Sequence, residues 1–189
     1  MTENLKRCKW PTEDPLLIQY HDLEWGVPVH DDRKLFEFLV LEGMQAGLSW
    51  STILKKRENF RRAFEGFDPV RVSEYSAKDV VRLMGDAGII RNRLKIMGAI
   101  NNAQRFLALQ SEFGSFAAYI WRFVGDKPIR HHFRNIAQLP VTSRESDAIS
   151  KNLRVRGFKF VGSTIIYAHM QATGMVNDHT IDCYRYNQV

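Results

Sequence analysis

The most restrictive feature of the sequence is the run at residues 35–46, LFEFLVLEGMQA, which is apolar on nearly every face of a helix. A helix of this kind has no polar side to turn toward water, so it must lie in the interior of the protein. The run therefore predicts a buried helix that other elements have to cover.

Two acids interrupt this run, Glu37 and Glu42. They lie five residues apart, roughly 140° around a helix, so they cannot share a face. Glu42 falls on the same stripe as Leu35 and Leu39, where a carboxylate is costly unless it is paired or faces a polar cavity. Two interpretations stay open. Glu42 either pairs with an arginine or lysine or reaches the surface, or it is aimed into a pocket for a cationic or donor-rich ligand.

The rest of the chain has the helix-start and helix-stop signals of an all-α protein. The predicted helices are residues 33–46, 50–64, 77–84, 91–112, 116–124, 144–155 and 164–173. Residues that can cap helix starts are Asp32, Ser49, Ser76 (with Asp79), Ser115, Ser143, and Gly162 or Ser163. Strand-like alternation is scarce, and residues 125–141 are the least regular part and are predicted to be a connection.

Length and charge narrow the class of protein. A chain of 189 residues fits one domain, or one domain with a small lobe, and its formal net charge of +6 favours a polyanionic partner. Nothing approaches the run of about 18 apolar residues that a membrane span needs. The first seven residues, MTENLKR, have no apolar stretch behind their charges, so we expect no secretory signal and a cytoplasmic protein.

The two cysteines, Cys8 and Cys183, lie near opposite ends of the chain, and a disulfide is not expected in a reducing cytosol. His179 and Cys183 have i, i+4 spacing, so in a helix they would share a face. Together with Cys8 and His21 they would complete a closed tetrahedral zinc site. The alternative is two unrelated thiols and two hydrogen-bonded core histidines.

Aromatic residues offer weaker support for a binding pocket. Trp10, Trp25, Trp50 and Trp121 are most simply core residues. Trp50, however, follows a predicted turn directly, and aromatic side chains beside an exposed turn can hold an extruded base by stacking.

Residues 157–162, GFKFVG, lie between two predicted helices. A glycine-flanked hairpin that opens a helix presents backbone N–H groups to phosphate. Gly157, Lys159 and Gly162 are therefore candidate DNA contacts, with Arg154 and Arg156 beside them. An ordinary turn between two helices is the alternative.

Seven strings, taken together, resemble the 3-methyladenine DNA glycosylase I family over almost the whole chain, from about Arg7 to Cys183. They are RCKW (7–10), YHDLEWGVP (20–28), LEGMQAGLSW (41–50), KKREN (55–59), DAGIIR (86–91), RGFKFVG (156–162) and VNDH (176–179). The resemblance implies an all-α, helix-hairpin-helix glycosylase fold in which one structural zinc ion joins the N- and C-terminal segments. Its ligands would be Cys8, His21, His179 and Cys183.

The resemblance also assigns the base pocket. Glu42 would be the catalytic carboxylate that recognises the base, and Tyr20 would add a hydrogen bond. Trp10 and Trp50 would form the aromatic walls. Leu17 is a departure, because some relatives have a tyrosine there, so a contact at the pocket rim is absent or replaced.

The resemblance implies that Gly47 and Leu48 probe the DNA and plug the gap that an extruded base leaves. The reaction would be base-excision repair, in which water hydrolyses the N-glycosidic bond of 3-methyladenine without lyase chemistry. The partner would be double-stranded DNA containing alkylated adenine. Residues 1–189 would form one monomeric glycosylase domain, with its cleft between two helical lobes.

Several alternatives stay open. Asp178 lies near the place where the wider superfamily carries an aspartate that stabilises the sugar, and it either faces the sugar or positions His179. The rival functions are a DNA-binding module without activity, a glycosylase with another preference such as 3-methylguanine, and a zinc-stabilised protein-interaction domain.

Overall fold

The computed structural model describes residues 5–189. Its helices are α1 (Pro15–Leu23), α2 (Asp32–Gln45), α3 (Trp50–Ala63), α4 (Pro69–Ser73), α5 (Ala77–Gly85), α6 (Arg93–Phe113), α7 (Phe116–Trp121), α8 (Arg144–Val155) and α9 (Ser163–Ala172). Single-turn 3-10 helices lie at Glu65–Phe67, Arg122–Val124 and Ile136–Gln138. Two short strands, β1 (Ile129–Arg130) and β2 (Val176–Asn177), pair in parallel. The chain is mostly helical, as predicted.

The predicted start of α2 needs a correction. Its N-cap is Asp31, whose carboxylate accepts the Lys34 N–H at 2.8 Å. Asp32 instead accepts the N–H groups of Phe116 and Ala117, both at 2.8 Å, and so caps α7 from outside that helix. The prediction was wrong because either of two adjacent aspartates can serve a helix start, and the sequence does not show which helix lies within reach.

Other helix boundaries agree more closely. Helix α8 has the predicted bounds, and the capping box of Ser76 with Asp79 is present at α5. Helices α1 and α4 were not predicted. Each opens with an aspartate N-cap followed by proline at the first helical position, at Asp14 and Asp68, which is a recognised helix-start signal.

The core forms around α2, whose residues from Leu35 to Met44 are all buried. Helices α3, α6, α7 and α9 contact α2, so it is covered on several sides, as the apolar run predicted. A second, smaller cluster consists of Cys8, Tyr20, Trp25, Phe38, Ala172 and Cys183. This cluster brings the segment before α2 against the segment after α9.

Residues 1–4, on which part of the expectation about a secretory signal depends, lie outside the described residues. Within residues 5–189, no helix combines the length and the apolar character that crossing a membrane requires.

Candidate active site

The two acids of α2 have opposite surroundings. Glu37 accepts from Arg57 Nε at 2.6 Å and from Arg61 Nε at 3.0 Å, so it belongs to a buried ion-pair network. Glu42 is 4% exposed, and no residue from 5 to 189 donates a hydrogen bond to it. Burial raises the pKa of Glu42 to about 8. The structural ion pair considered for Glu42 is thus found at Glu37, while Glu42 faces a pocket.

That pocket is a cavity of about 200 Å³ with four aromatic side chains in its walls. Trp10, Tyr20, Trp25 and Trp50 line it together with Glu42. The rings of Tyr20 and Trp50 lie 5.4 Å apart, and those of Trp10 and Tyr20 lie 6.2 Å apart. The structure therefore brings all four predicted base-pocket residues together around one space.

Several polar groups of these walls have no hydrogen-bond partner among residues 5–189. Burial, followed by the nearby Glu42 carboxylate, raises the pKa of the Tyr20 hydroxyl well above its usual range. The indole N–H groups of Trp10 and Trp50 are buried and have no acceptor within the described part of the chain. Buried polar groups are nearly always paired, so an unpaired set around one cavity is typical of a ligand site.

Six further lining residues were not predicted for the pocket: Trp25, which the sequence presents as a core residue, and Gln45, Ile136, Leu139, Ala168 and Gln171. Ile136 and Leu139 come from the segment that the sequence presents only as an irregular connection. Ala168 and Gln171 lie on α9, three residues apart and therefore on one helix face. That spacing is the one local signal that could have placed α9 beside the pocket.

A second cavity, of about 240 Å³, shares Glu42, Gln45 and Ala168 with the first and opens toward the predicted probe loop. Gly47 and Leu48 line it, between α2 and α3. Gly47 has a φ of +81°, a left-handed conformation that favours glycine, and Leu48 is 42% exposed. The loop thus presents an apolar side chain to solvent beside the entrance to the Glu42 pocket.

The predicted hairpin joins α8 to α9 and is held by α6. Gly157 has a φ of +86°, and Lys159 is exposed. Gly162 is the N-cap residue of α9, and no side-chain hydrogen bond caps the helix there. Phe160 lies against Gly98, where a Cβ atom would come within 2.7 Å of the ring. The hairpin backbone is therefore fixed, and its exposed face carries a lysine that has no ion-pair partner among residues 5–189.

The two arginines proposed beside the hairpin differ. Arg156 is paired with Glu112 at 2.6 Å, so its charge is already neutralised. Arg154 lies next to Gly162, with its Nη2 atom 3.4 Å from the position of a Cβ there. Only Arg154 stays a candidate for contact with an anion at this helix start.

Cys8, His21, His179 and Cys183 form one buried cluster whose ligand atoms all lie within 4.8 Å of one another. Cys183 Sγ is 3.5 Å from His21 Nε2 and 3.5 Å from His179 Nδ1, and Cys8 Sγ is 3.6 Å from His179 Nδ1. The stretch from His179 to Cys183 is irregular chain followed by a turn, so the helix in which the two side chains would share a face is not formed. The cluster could hold a metal ion.

The outward ring nitrogens of this cluster are paired. His21 Nδ1 lies 2.8 Å from Asp22 Oδ1, and His179 Nε2 lies 3.0 Å from the carbonyl oxygen of Trp25. An acceptor on one ring nitrogen leaves the lone pair of the other free, which is how metal-binding histidines are usually oriented. The inward nitrogens are thus the ones prepared to bind.

Asp178 is 1% exposed and does not hydrogen-bond to His179 through its side chain. Its carboxylate accepts from Tyr167 Oη at 2.7 Å and from Gln171 Nε2 at 2.8 Å, and it contacts His131 Nδ1 at 2.6 Å. Leu17 is half-buried on α1 and is absent from the pocket lining.

Comparison with known proteins gives consistent results. The sequence model of the methyladenine glycosylase family matches residues 10–186. DNA-3-methyladenine glycosylase 1 of Escherichia coli (strain K12) is 50% identical over 182 residues, which are 96% of this chain and 97% of the relative.

Solved structures agree with the sequence comparison. A crystal structure of 3-methyladenine DNA glycosylase I matches with a TM-score of 0.92 at 51% identity, covering 95% of this chain and 98% of its own. A structure of the Staphylococcus aureus 3-methyladenine DNA glycosylase I, which concerns recognition of 3-methyladenine, matches with a TM-score of 0.92 at 36% identity. It covers 95% of this chain and 96% of its own.

Proposed function

We propose, since the chain belongs to the methyladenine glycosylase family, that it excises 3-methyladenine from alkylated duplex DNA in base-excision repair. The observation that carries this proposal is Glu42, a buried carboxylate without a protein partner on the wall of an aromatic cavity. A site of this kind is incomplete until a cationic ligand with hydrogen-bond donors fills it.

The chemistry of the substrate fits such a site. Methylation at N3 makes the adenine cationic and weakens its glycosidic bond, so the departing base needs little further activation. The Glu42 carboxylate attracts the positive ring and accepts from its exocyclic amine, whereas neutral adenine gains less. Stacking on Trp10 and Trp50 favours the electron-poor base as well.

Water is the nucleophile in this proposal. No lysine lines either cavity beside Glu42 in residues 5–189, so these walls offer no amine for a covalent step at the sugar. The enzyme would therefore be monofunctional, without lyase activity. Glu42 accordingly serves as the recognition and catalytic carboxylate, with Tyr20 as a hydrogen-bonding partner of the base.

Two exposed elements would hold the DNA. Leu48, beside Gly47, would enter the duplex and occupy the space that the extruded base leaves, because it is an exposed apolar residue at the pocket entrance. The hairpin residues Gly157, Lys159 and Gly162 would contact the DNA backbone through the start of α9 and one free positive charge.

The buried cluster at the two ends of the described chain would hold one structural zinc ion. Zinc at tetrahedral geometry, with Zn–S and Zn–N bonds of about 2.3 and 2.05 Å, separates its sulfur and nitrogen ligands by about 3.6 Å. The 3.5–3.6 Å separations found here fit that value. Four protein ligands leave no open position, so the ion would supply only a cross-link between Cys8 and His21 and the C-terminal pair.

We further propose that residues 1–189 act as one monomeric glycosylase domain. The Glu42 pocket would lie in the cleft between two helical lobes, with α9 and the hairpin on one side and α1 and α3 on the other.

One assay tests the main proposal. DNA treated with a methylating agent is incubated with the protein, and the released bases are identified by chromatography. We expect free 3-methyladenine from the wild type and little from Glu42→Gln, which keeps the size of the side chain but removes its charge. Duplex binding without any released base would support a DNA-binding module instead, and release led by 3-methylguanine would support a different preference.

A further inference from the structure

Gln171 lines the Glu42 pocket, yet the resemblance assigns it no role. It lies on α9, and its Nε2 donates to the Asp178 carboxylate at 2.8 Å. Its Oε1 atom accepts no hydrogen bond from residues 5–189. The amide nitrogen of Gln171 is therefore paired, and its amide oxygen is available to accept a hydrogen bond.

Asp178 determines the orientation of the Gln171 amide. An ionised carboxylate only accepts hydrogen bonds, so the amide has to turn its nitrogen toward Asp178 and leave its oxygen on the opposite side. Asp178 cannot rotate away, because it also accepts from Tyr167 Oη at 2.7 Å and contacts His131 Nδ1 at 2.6 Å. Asp178 is 1% exposed, so its carboxylate is shielded from water.

We propose that Gln171, fixed by Asp178, is a second hydrogen-bond acceptor for the exocyclic amino group of the base and sets the preference for 3-methyladenine over 3-methylguanine. This inference rests on the proposed function. In adenine the group at C6 is an amine with two N–H donors, of which Glu42 can take one and Gln171 Oε1 the other. In guanine the group at C6 is a carbonyl oxygen, which finds no donor on Gln171 Oε1 or on the ionised Glu42 carboxylate.

In this inference Gln171 contacts the substrate, whereas Asp178 is a positioning residue. Asp178 thus serves neither of the roles that the sequence left open, since its oxygens are occupied by Tyr167, Gln171 and His131.

The test compares two substitutions by the ratio of 3-methyladenine to 3-methylguanine released from the same methylated DNA. Gln171→Leu removes the acceptor, and we expect kcat/KM for 3-methyladenine to fall about tenfold, the usual effect of one hydrogen bond, with a smaller change for 3-methylguanine. Asp178→Asn offers an N–H donor instead, so the Gln171 amide can reverse and present its nitrogen to the pocket. We then expect the ratio to fall further, with 3-methylguanine release rising above that of Gln171→Leu.

Gln110→Leu is the matched control. Gln110 Nε2 donates to Asp32 Oδ2 at 2.6 Å, so this change breaks the same kind of glutamine–aspartate bond in a residue that does not line the pocket. We expect it to leave the ratio at the wild-type value. Should Asp178→Asn fail to fold, as judged by circular dichroism and melting, Gln171→Leu decides alone.

The outcomes separate the two proposals. Wild-type protein that releases no methylated base overturns the proposed function, and this inference with it. Wild-type release of 3-methyladenine with an unchanged ratio in Gln171→Leu overturns this inference alone.

Discussion

Asn102 of α6 and Lys159 of the hairpin are joined by a pair of hydrogen bonds. Asn102 Nδ2 donates to the Lys159 carbonyl at 2.8 Å, and Asn102 Oδ1 accepts the Lys159 N–H at 2.7 Å. Asn102 is 4% exposed, so this pair is protected from water. The hairpin is therefore held in shape by a side chain of another helix as well as by its own turn.

We expect Asn102→Leu to destabilise the fold by about 1–3 kcal/mol, because it leaves two backbone groups of Lys159 without their partner. Affinity for undamaged duplex DNA should fall, while binding of free 3-methyladenine should not. Thermal melting and fluorescence anisotropy measure the two effects. Asn59→Ala is the control, since it removes a comparable side-chain bond to the Gly88 carbonyl away from the hairpin. Equal losses of DNA affinity in both variants would contradict the prediction.

Glu42 predicts the pH dependence of excision. Its pKa is raised to about 8 by burial, so below that pH the free enzyme carries a protonated, neutral Glu42. The ionised form recognises the cation, and kcat/KM, which reports groups of the free enzyme, should therefore rise with pH up to about 8 and then level. Glu42→Gln should abolish this rise and lower activity at least about 100-fold. A wild-type profile that is flat between pH 6 and 9 on stable DNA would remove Glu42 from this role.

Lys95 anchors the end of α2 beside the probe loop. Its Nζ donates to the carbonyl oxygens of Met44 at 2.8 Å and Ala46 at 2.6 Å, at a helix end that has no basic residue of its own. We expect Lys95→Met to cost about 1–3 kcal/mol, since these carbonyls lose a charged donor. Base extrusion, followed by the fluorescence of 2-aminopurine in the duplex, should weaken as Leu48 loses its support.

The control for that prediction is Lys56→Met, which breaks a similar bond, to the Ala87 carbonyl, at the surface. It should change stability by less than about 0.5 kcal/mol and leave base extrusion unaltered. If the two lysine variants behave alike, the anchoring role of Lys95 is wrong.

His169 predicts a stabilising substitution. It is fully buried, and neither of its ring nitrogens has a hydrogen-bond partner in the part of the chain that the structure describes. Replacement by leucine should stabilise the protein at pH 7 by about 1 kcal/mol or more, because an unpaired polar group leaves the core. Chemical denaturation measures the difference.

The same residue should make stability fall in acid. Burial lowers the pKa of His169 to about 4, below its ordinary value of 6.5. Between these two values the unfolded chain binds a proton that the folded protein refuses, so wild-type stability should decrease as pH falls from about 6.5 to about 4. His169→Leu should flatten this slope, and His30→Leu, at an exposed position, should leave it in place. Identical slopes for wild type and His169→Leu would contradict the argument.

Removal of the proposed zinc ion should affect stability before recognition. We expect Cys183→Ser to lose most of its zinc and to melt lower by about 6–12 °C, a loss of about 3 kcal/mol. Its preference for 3-methyladenine over adenine should persist at temperatures where it stays folded. Metal analysis and calorimetry test this, with Ser143→Ala, a helix-cap change far from the cluster in sequence, as the reference for an ordinary loss of stability. Complete zinc loss at an unchanged melting temperature would contradict the prediction that the ion stabilises the fold.

Whether the sequence predicts a structural feature depends on whether that feature is determined by residues that are neighbours in the chain. The buried helix around Glu42 and the capping of α8 follow from periodicity and from single capping residues, and both appear as predicted. Which of Glu37 and Glu42 is paired depends on Arg57 and Arg61 of α3, and no local pattern shows where those arginines will lie.

Predicting the pocket would have required knowledge of contacts between residues that are far apart in the sequence. Ile136 and Leu139 reach it from a segment without regular periodicity, and Gln171 looks like any polar residue on a helix. The i, i+4 spacing of His179 and Cys183 would place them on one face of a helix, yet irregular chain and a turn bring the two side chains together. Their partnership with Cys8 and His21 was indicated by family resemblance, because pairing across most of a chain leaves no trace in a window of neighbouring residues.

The cluster of Cys8, His21, His179 and Cys183 has a consequence for how the protein comes apart. Chain ends are normally the first parts to lose their structure and the first that proteases cleave. An ion held by this cluster, as proposed above, would join the segment of Cys8 and His21 to that of His179 and Cys183, so neither segment could separate without losing two ligands and both would open as a single event. Local opening would thereby be tied to release of the proposed ion, and slow amide exchange in both segments should be lost together when a chelator takes the metal.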